Sequence, residues 1–301
     1  MSPTALLRAL VALVVIVFAW GAFALFRGAL SDAGNGLDLP TLGAADVDRV
    51  ELAGPADTVL LRRDGDAWTV NGHRAARGPV EELFGALTDT AASSELVAKS
   101  ATSHARLGVD SGAGRRVRVA RGDAVLLDVI VGERGRGYQT AYVRRAGASS
   151  VYQLRGRLAS LVEREVDAWR DRRIASLPAD TVGTVIVTRG PRGWTVTRAE
   201  AGWTVAGRPA DSAAVARLLG AFADVSATGF ATDAQRDSLD FRRPDRTVTV
   251  LGLAGDTLLA LAIDSTGGGY WARRGGDETV FRLDFWRADE LTPTDSTLRR
   301  P

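Results

Sequence analysis

The strongest constraint on the fold is an ungapped internal repeat. Trp68-Thr69-Val70-Asn71-Gly72-His73-Arg74-Ala75 recurs 135 residues later as Trp203-Thr204-Val205-Ala206-Gly207-Arg208-Pro209-Ala210. The same displacement joins Val80 to Val215, Leu83 to Leu218, Gly85 to Gly220, Ala86 to Ala221 and Asp89 to Asp224, and reaches back to Val47 and Val182. It falls to 133 at Gly122-Asp123 and Ile130 against Gly255-Asp256 and Ile263. It falls again to 129 at Arg144-Arg145 and Val151-Tyr152-Gln153-Leu154 against Arg273-Arg274 and Val280-Phe281-Arg282-Leu283. Loops accept insertions while strands hold register, so a displacement that shrinks in steps marks two copies of one fold.

Local patterns give each copy its expected elements. Residues 47–52, 58–63 and 67–70 alternate apolar and polar as strands do, and Asn71-Gly72 is a turn whose two residues tolerate positive φ. Val80, Leu83, Phe84 and Leu87 fall at i, i+3, i+4 and i+7, predicting a helix over 79–91 with Pro79 in its first turn. A polar stretch, 92–106, leads to Leu107-Gly108-Val109-Asp110. Four strands follow, near 116–119, 125–131, 140–144 and 150–154, and then a closing helix over 158–168. Trp68 and Trp203 each end a strand before the turn and helix, and read as core plugs.

Ahead of the repeats, Ala9 to Phe26 is an uncharged run of eighteen residues between Arg8 and Arg27. A helix of that length rises ~27 Å, near the hydrocarbon thickness of a bilayer, and Trp20, Phe23 and Phe26 suit an interface. Ala22-Phe23-Ala24 has the small-x-small form of a signal-peptide cleavage site, but the run begins early and continues past it, favouring an uncleaved anchor with the body extracytoplasmic. The expected class is α+β: an N-terminal transmembrane helix, then two tandem homologous antiparallel-sheet-plus-helix repeats, each β-β-β-α-β-β-β-β-α. The expected divisions are 1–27 for tail and span, 28–45 for a flexible linker, 46–176 for the first repeat and 177–301 for the second.

These repeats resemble the bacterial domain of unknown function DUF4340. The residues that carry the resemblance are Trp203, Ala210-Asp211, Val215-Ala216-Arg217-Leu218-Leu219, Leu107-Gly108-Val109-Asp110, Tyr142-Val143-Arg144, Val151-Tyr152-Gln153-Leu154 and Arg170-Asp171-Arg172-Arg173-Ile174. The first copy departs at Ala75-Ala76, where aspartate is absent, and the second at Leu239-Asp240-Phe241. The resemblance implies a membrane-anchored envelope protein, often encoded beside ABC-transporter components of the gliding-motility auxiliary type. It brings no catalytic residue.

Chemistry is sparse. A net charge of +2 over 301 residues lacks the basic block of a nucleic-acid binder, and no nucleic-acid partner is expected. The absence of cysteine removes thiolate nucleophiles and Cys-ligated zinc, and Lys99 is the one lysine. His73 and His104 lack metal-ligand spacing, and no Gly-x-Ser-x-Gly elbow occurs. Gly132 to Gly137 and Gly267-Gly268-Gly269 sit between strands, where they make hairpins rather than phosphate cradles. No catalytic, metal or cofactor residue is therefore expected, and no enzyme.

The ligand-binding candidates are Tyr142 with Arg144 and Trp271 with Arg273, an aromatic residue and an arginine two apart on a strand, repeated in both copies. Such a pair can stack on a sugar or hold an anionic lipid head group, and equally can cover a sheet. The expected function is a non-enzymatic, single-pass envelope protein, an accessory or scaffold subunit whose partners are the membrane and membrane proteins such as ABC-transporter subunits. The alternative is an extracytoplasmic glycan- or lipid-binding module.

Overall fold

The computed structural model describes residues 36–89, 92–266 and 269–299. The chain divides after Arg170 into two compact units. In the first, alternating apolar residues build β1 (Arg49–Ala53), β2 (Thr58–Asp64), β3 (Ala67–Val70) and β4 (His73–Arg74), followed by helix α1 (Arg77–Leu87). Then come β5 (Ser93–Ala98), β6 (Arg115–Arg121), β7 (Ala124–Arg134), β8 (Thr140–Arg145), β9 (Val151–Arg155) and the short helix α2 (Leu158–Val162). The nine strands form one antiparallel sheet in the order β4-β3-β2-β1-β6-β7-β8-β9-β5.

The second unit starts with β10 (Arg173–Ala175) and continues through β11 (Val182–Arg189), β12 (Arg192–Ala199), β13 (Gly202–Val205), β14 (Arg208–Pro209) and α3 (Ser212–Ala223). After β15 (Val225–Ser226), β16 (Gly229–Phe230) and α4 (Asp233–Asp237) come β17 (Arg246–Gly252), β18 (Thr257–Thr266), β19 (Gly269–Arg274) and β20 (Val280–Leu283). Helices α5 (Phe285–Leu291) and α6 (Asp295–Leu298) close it. Its large sheet runs β14-β13-β12-β11-β17-β18-β19-β20-β16, strand for strand the order of the first unit, and β10 pairs separately with β15.

Each sheet buries one face under its helices. In the first unit Val50, Leu52, Val59, Leu61, Val117, Val119 and Val129 meet Val80, Leu83, Phe84 and Leu87 of α1 and Leu158 and Val162 of α2. In the second, Val185, Val187, Val248, Val250, Leu261 and Ile263 meet Val215, Leu218, Leu219 and Phe222 of α3 and Leu291 of α5. Trp68 and Trp203 pack against these cores half-buried, Trp68 with its ring 5.1 Å from that of Phe84. They wall the core rather than plug it.

Both units are closed in the same way. The Leu42 amide donates to Leu87 in the first and the Leu177 amide to Phe222 in the second. At the other end the tail bridges to the position two residues before the helix, Ala75 with Arg170 and Ala210 with Arg299. The hairpin between β3 and β4 turns through Asn71 and Gly72 at φ 47° and 84°, and its counterpart through Ala206 and Gly207 at 48° and 76°.

The fold departs from the expected one in several respects. The class is mainly β rather than α+β: two nine-stranded antiparallel sheets carry the architecture and the longest described helices have only 11 and 12 residues. The order β-β-β-α-β-β-β-β-α misses two strands in the first copy, the two-residue strand β4 after the turn and the edge strand β5 after the helix, and β14, β15 and the edge strand β16 in the second. The edge strand β5 was hidden in the polar stretch because it borders solvent, so its alternation has little apolar contrast. Among the described residues no helix is long and apolar enough to cross a membrane, and a transmembrane helix is not an element of the fold described. The expected span, residues 9–26, lies outside the described residues. From Gly36 the supposed linker packs down, with Leu37 and Leu42 buried in the core.

Candidate recognition site on the outer sheet faces

Because side chains alternate across a strand, the positions between the core residues build an outer face on each sheet. Tyr142, Arg144, Trp271 and Arg273 all lie there, since the intervening Val143 and Ala272 belong to the cores. The pairing places each pair in the same square of the lattice. Arg116, Ile130 and Arg144 form one cross-strand row, and Thr247, Ala262 and Arg273 form its equivalent. The counterpart of Ile130 is thus Ala262 and not Ile263; the displacement of 133 slips by one residue, which swaps the two faces of the sheet.

In the first unit the pair clamps a loop. The connection from β5 to β6 crosses the outer face and buries Leu107 and Val109 against Ile130 and Val151, with Tyr142 packed beside them. Gly132 is needed for that approach, because a Cβ there would lie 2.5 Å from the Leu107 carbonyl oxygen. Arg144, 8% exposed, donates from Nε to the Val109 carbonyl at 2.6 Å and from its terminal nitrogen to Arg145 and Ala148 at 3.3 and 3.4 Å. Burial pulls its pKa down while the charge of Asp110 pushes the other way. Asp110 accepts from the Ala113 and Gly112 amides, which hold its carboxyl below the ordinary carboxylate value. His104 is tied into the same loop, its Nε2–H donating to the Ser149 carbonyl at 2.9 Å.

The second unit uses the same two positions differently. Trp271 is buried at 5% exposure, whereas Arg273 is exposed and lies over the Phe241 ring, 4.7 Å from its centre. Phe241 belongs to the connection from β16 to β17, the segment equivalent to the clamped loop. Among the described residues Arg273 has no hydrogen-bond or ion-pair partner. Beside it opens a depression of about 570 Å³ floored by Thr247, Thr249, Ala260 and Ala262 and rimmed by Arg274, Asp277 and Glu278.

Copy one shows why the depression exists. Where the second unit has Thr247, Thr249, Ala260 and Ala262, the same rows of the first carry Arg116, Arg118, Asp128 and Ile130. Arg116 donates to both oxygens of Asp128, at 2.7 and 2.6 Å, so an ion pair occupies the equivalent ground, and Asp128 raises the Arg116 pKa. Small and hydroxylic side chains leave it open. The signal was present in sequence as Arg116-Val117-Arg118-Val119 against Thr247-Val248-Thr249-Val250, two strands alike at core positions and unlike at outer ones.

Other ionisable groups are structural. Arg246 is buried, donating to Asp289 at 2.6 Å and to the Tyr270 hydroxyl at 2.9 Å, which ties β17 and β19 to α5. Among the described residues no group of three or more histidines or carboxylates is placed to hold a metal ion.

The model of one protein family, a domain of unknown function (DUF4340), matches residues 68–244. No curated protein and no solved structure matches the chain. The match begins at the repeated tryptophan of the first copy, runs past that of the second and takes in more than half of the sequence, so the chain belongs to the DUF4340 family.

Proposed function

We propose that this chain is a non-catalytic accessory or scaffold subunit of a membrane complex in the bacterial envelope, of the ABC-transporter kind, with its body on the extracytoplasmic side. The observation that carries the reading is the pairing of one fold with two different outer faces. The first presents charges in cross-strand array, Glu51, Arg116, Arg118 and Asp128; the second presents Thr184, Ile186, Thr188, Thr247 and Thr249. A duplicated sheet whose buried positions stay apolar while its outer positions diverge offers two distinct recognition surfaces on one chain. The uncharged run of eighteen residues near the N-terminus supports placement at a membrane.

The first face suits a protein partner of complementary charge, because charge arrays steer association and fix register. Crosslinking in native membranes followed by affinity purification tests this. The expected result is a membrane-protein partner recovered with the unaltered chain and lost with Arg116→Glu/Arg118→Glu. Recovery of the chain as a lone monomer after crosslinking would refute the scaffold reading.

A further inference from the structure

We infer that the depression on the outer face of the second sheet is a binding site for an acidic saccharide, one whose ring carries a carboxylate. Arg273 supplies the cation of the site. Its guanidinium is always charged, lies with its central carbon 4.7 Å from the centre of the Phe241 ring, and has no anionic partner among the described residues. A planar fork whose donors are uncommitted can take a carboxylate through two parallel hydrogen bonds.

The floor argues for a sugar. Thr247 and Ala262 share Arg273's row, and Thr249 and Ala260 share the next, so hydroxyls and small apolar surface lie one and two strands from the cation. Two strand spacings cover about 10 Å, roughly the span of a disaccharide. The alanines admit a ring's edge, and the threonines offer donors and acceptors to its hydroxyls. Thr247 already shares a 2.6 Å hydrogen bond with Thr188 and retains capacity for one more; Thr249 has its hydroxyl uncommitted among the described residues.

The rim narrows the class further. Asp277 and Glu278, in the turn that follows Arg273 and Arg274, also line the depression and would repel a ligand charged along its whole length. They can accept hydrogen bonds from sugar hydroxyls. A ligand with one carboxylate beside several hydroxyls satisfies both the cation and the carboxylates, and a polyphosphate or nucleic acid does not. In the first unit the Arg116–Asp128 pair stands on the equivalent ground and Arg144 is spent on the Val109 carbonyl, so that copy has no such site.

The inference rests on the reading of the second outer face as a recognition surface, but its test needs no partner protein. The purified full chain is titrated calorimetrically with a monoglucuronate trisaccharide, maltotriose whose terminal ring carries one carboxylate, with maltotriose itself as the neutral sugar and inorganic phosphate as the bare anion. Saturable binding of the monoglucuronate is expected, with maltotriose and phosphate at least tenfold weaker. Arg273→Gln should weaken the monoglucuronate about tenfold or more, as loss of a charged hydrogen-bonding group does, and Thr249→Val about two- to tenfold. Thr247→Arg/Ala260→Asp, which transplants the first copy's ion pair into the floor, should abolish binding. Arg116→Gln in the first unit should leave it unchanged, and circular-dichroism melts confirm that every variant is folded. Absence of saturable binding, equal affinity for maltotriose or phosphate, or a folded Arg273→Gln chain that binds as the unaltered one does would each overturn the assignment, whatever the crosslinking shows.

Discussion

Arg144 and Arg273 occupy one position of a duplicated sheet and do opposite things, so substitution should separate them. Arg144→Met removes the donors that satisfy the Val109 carbonyl inside a closed loop and should cost about 2–3 kcal/mol in urea denaturation. Arg273→Ala gives up an exposed cation–π contact and should cost less than about 1 kcal/mol. Asp110 adds a pH signature. Its carboxyl is held below the ordinary value by two amides, so its contribution is complete above the unfolded pKa near 4 and is lost as pH falls through the lower folded value. The melting temperature of Asp110→Asn should therefore lie below that of the unaltered chain by a constant margin from pH 6 to 8, and the margin should close under about pH 4.

At the scale of elements, the two main helices test how much of the repeat is interchangeable. Asp211 caps α3, its carboxylate accepting from the Ala214 amide at 2.6 Å, whereas Ala76 at the matching position leaves α1 without a side-chain cap. Asp211→Ala should destabilise the second unit by about 1 kcal/mol, and Ala76→Asp should stabilise the first by a similar amount, both measured by thermal melts. What was legible in the sequence follows the same division. The strands with a buried face and the stripe of α1 could be read because burial imposes a period. The edge strand β5 could not, since an edge against solvent selects for little. The closing helix was read too long because apolar spacing persists past Val162, while the backbone turns extended at Glu165 before a separate 3-10 turn at Val166–Ala168. The arginines at 144 and 273 could be placed on one face from their spacing alone. Their different employment could not, because it depends on loops that carry no period, one bringing the Val109 carbonyl to a guanidinium and the other the ring of Phe241.

On the scale of the molecule, each unit has its own core, which predicts independent folding. A fragment comprising residues 171–301 should melt cooperatively by itself, and Leu218→Ala should lower its stability by about 2–5 kcal/mol and, in the full chain, leave the unfolding transition of the first unit unchanged. A fragment that remained unstructured by circular dichroism would contradict the division. The tail bridges have a consequence for synthesis. The last backbone connection of the first unit is made by Arg170, so that unit can finish folding while the ribosome is still extending the chain. The second is fastened by Arg299, so its closure comes only after nearly the whole second copy has been made. The two copies share one architecture yet mature on different clocks, and a premature stop that spared nearly the whole second copy would still leave it unfastened.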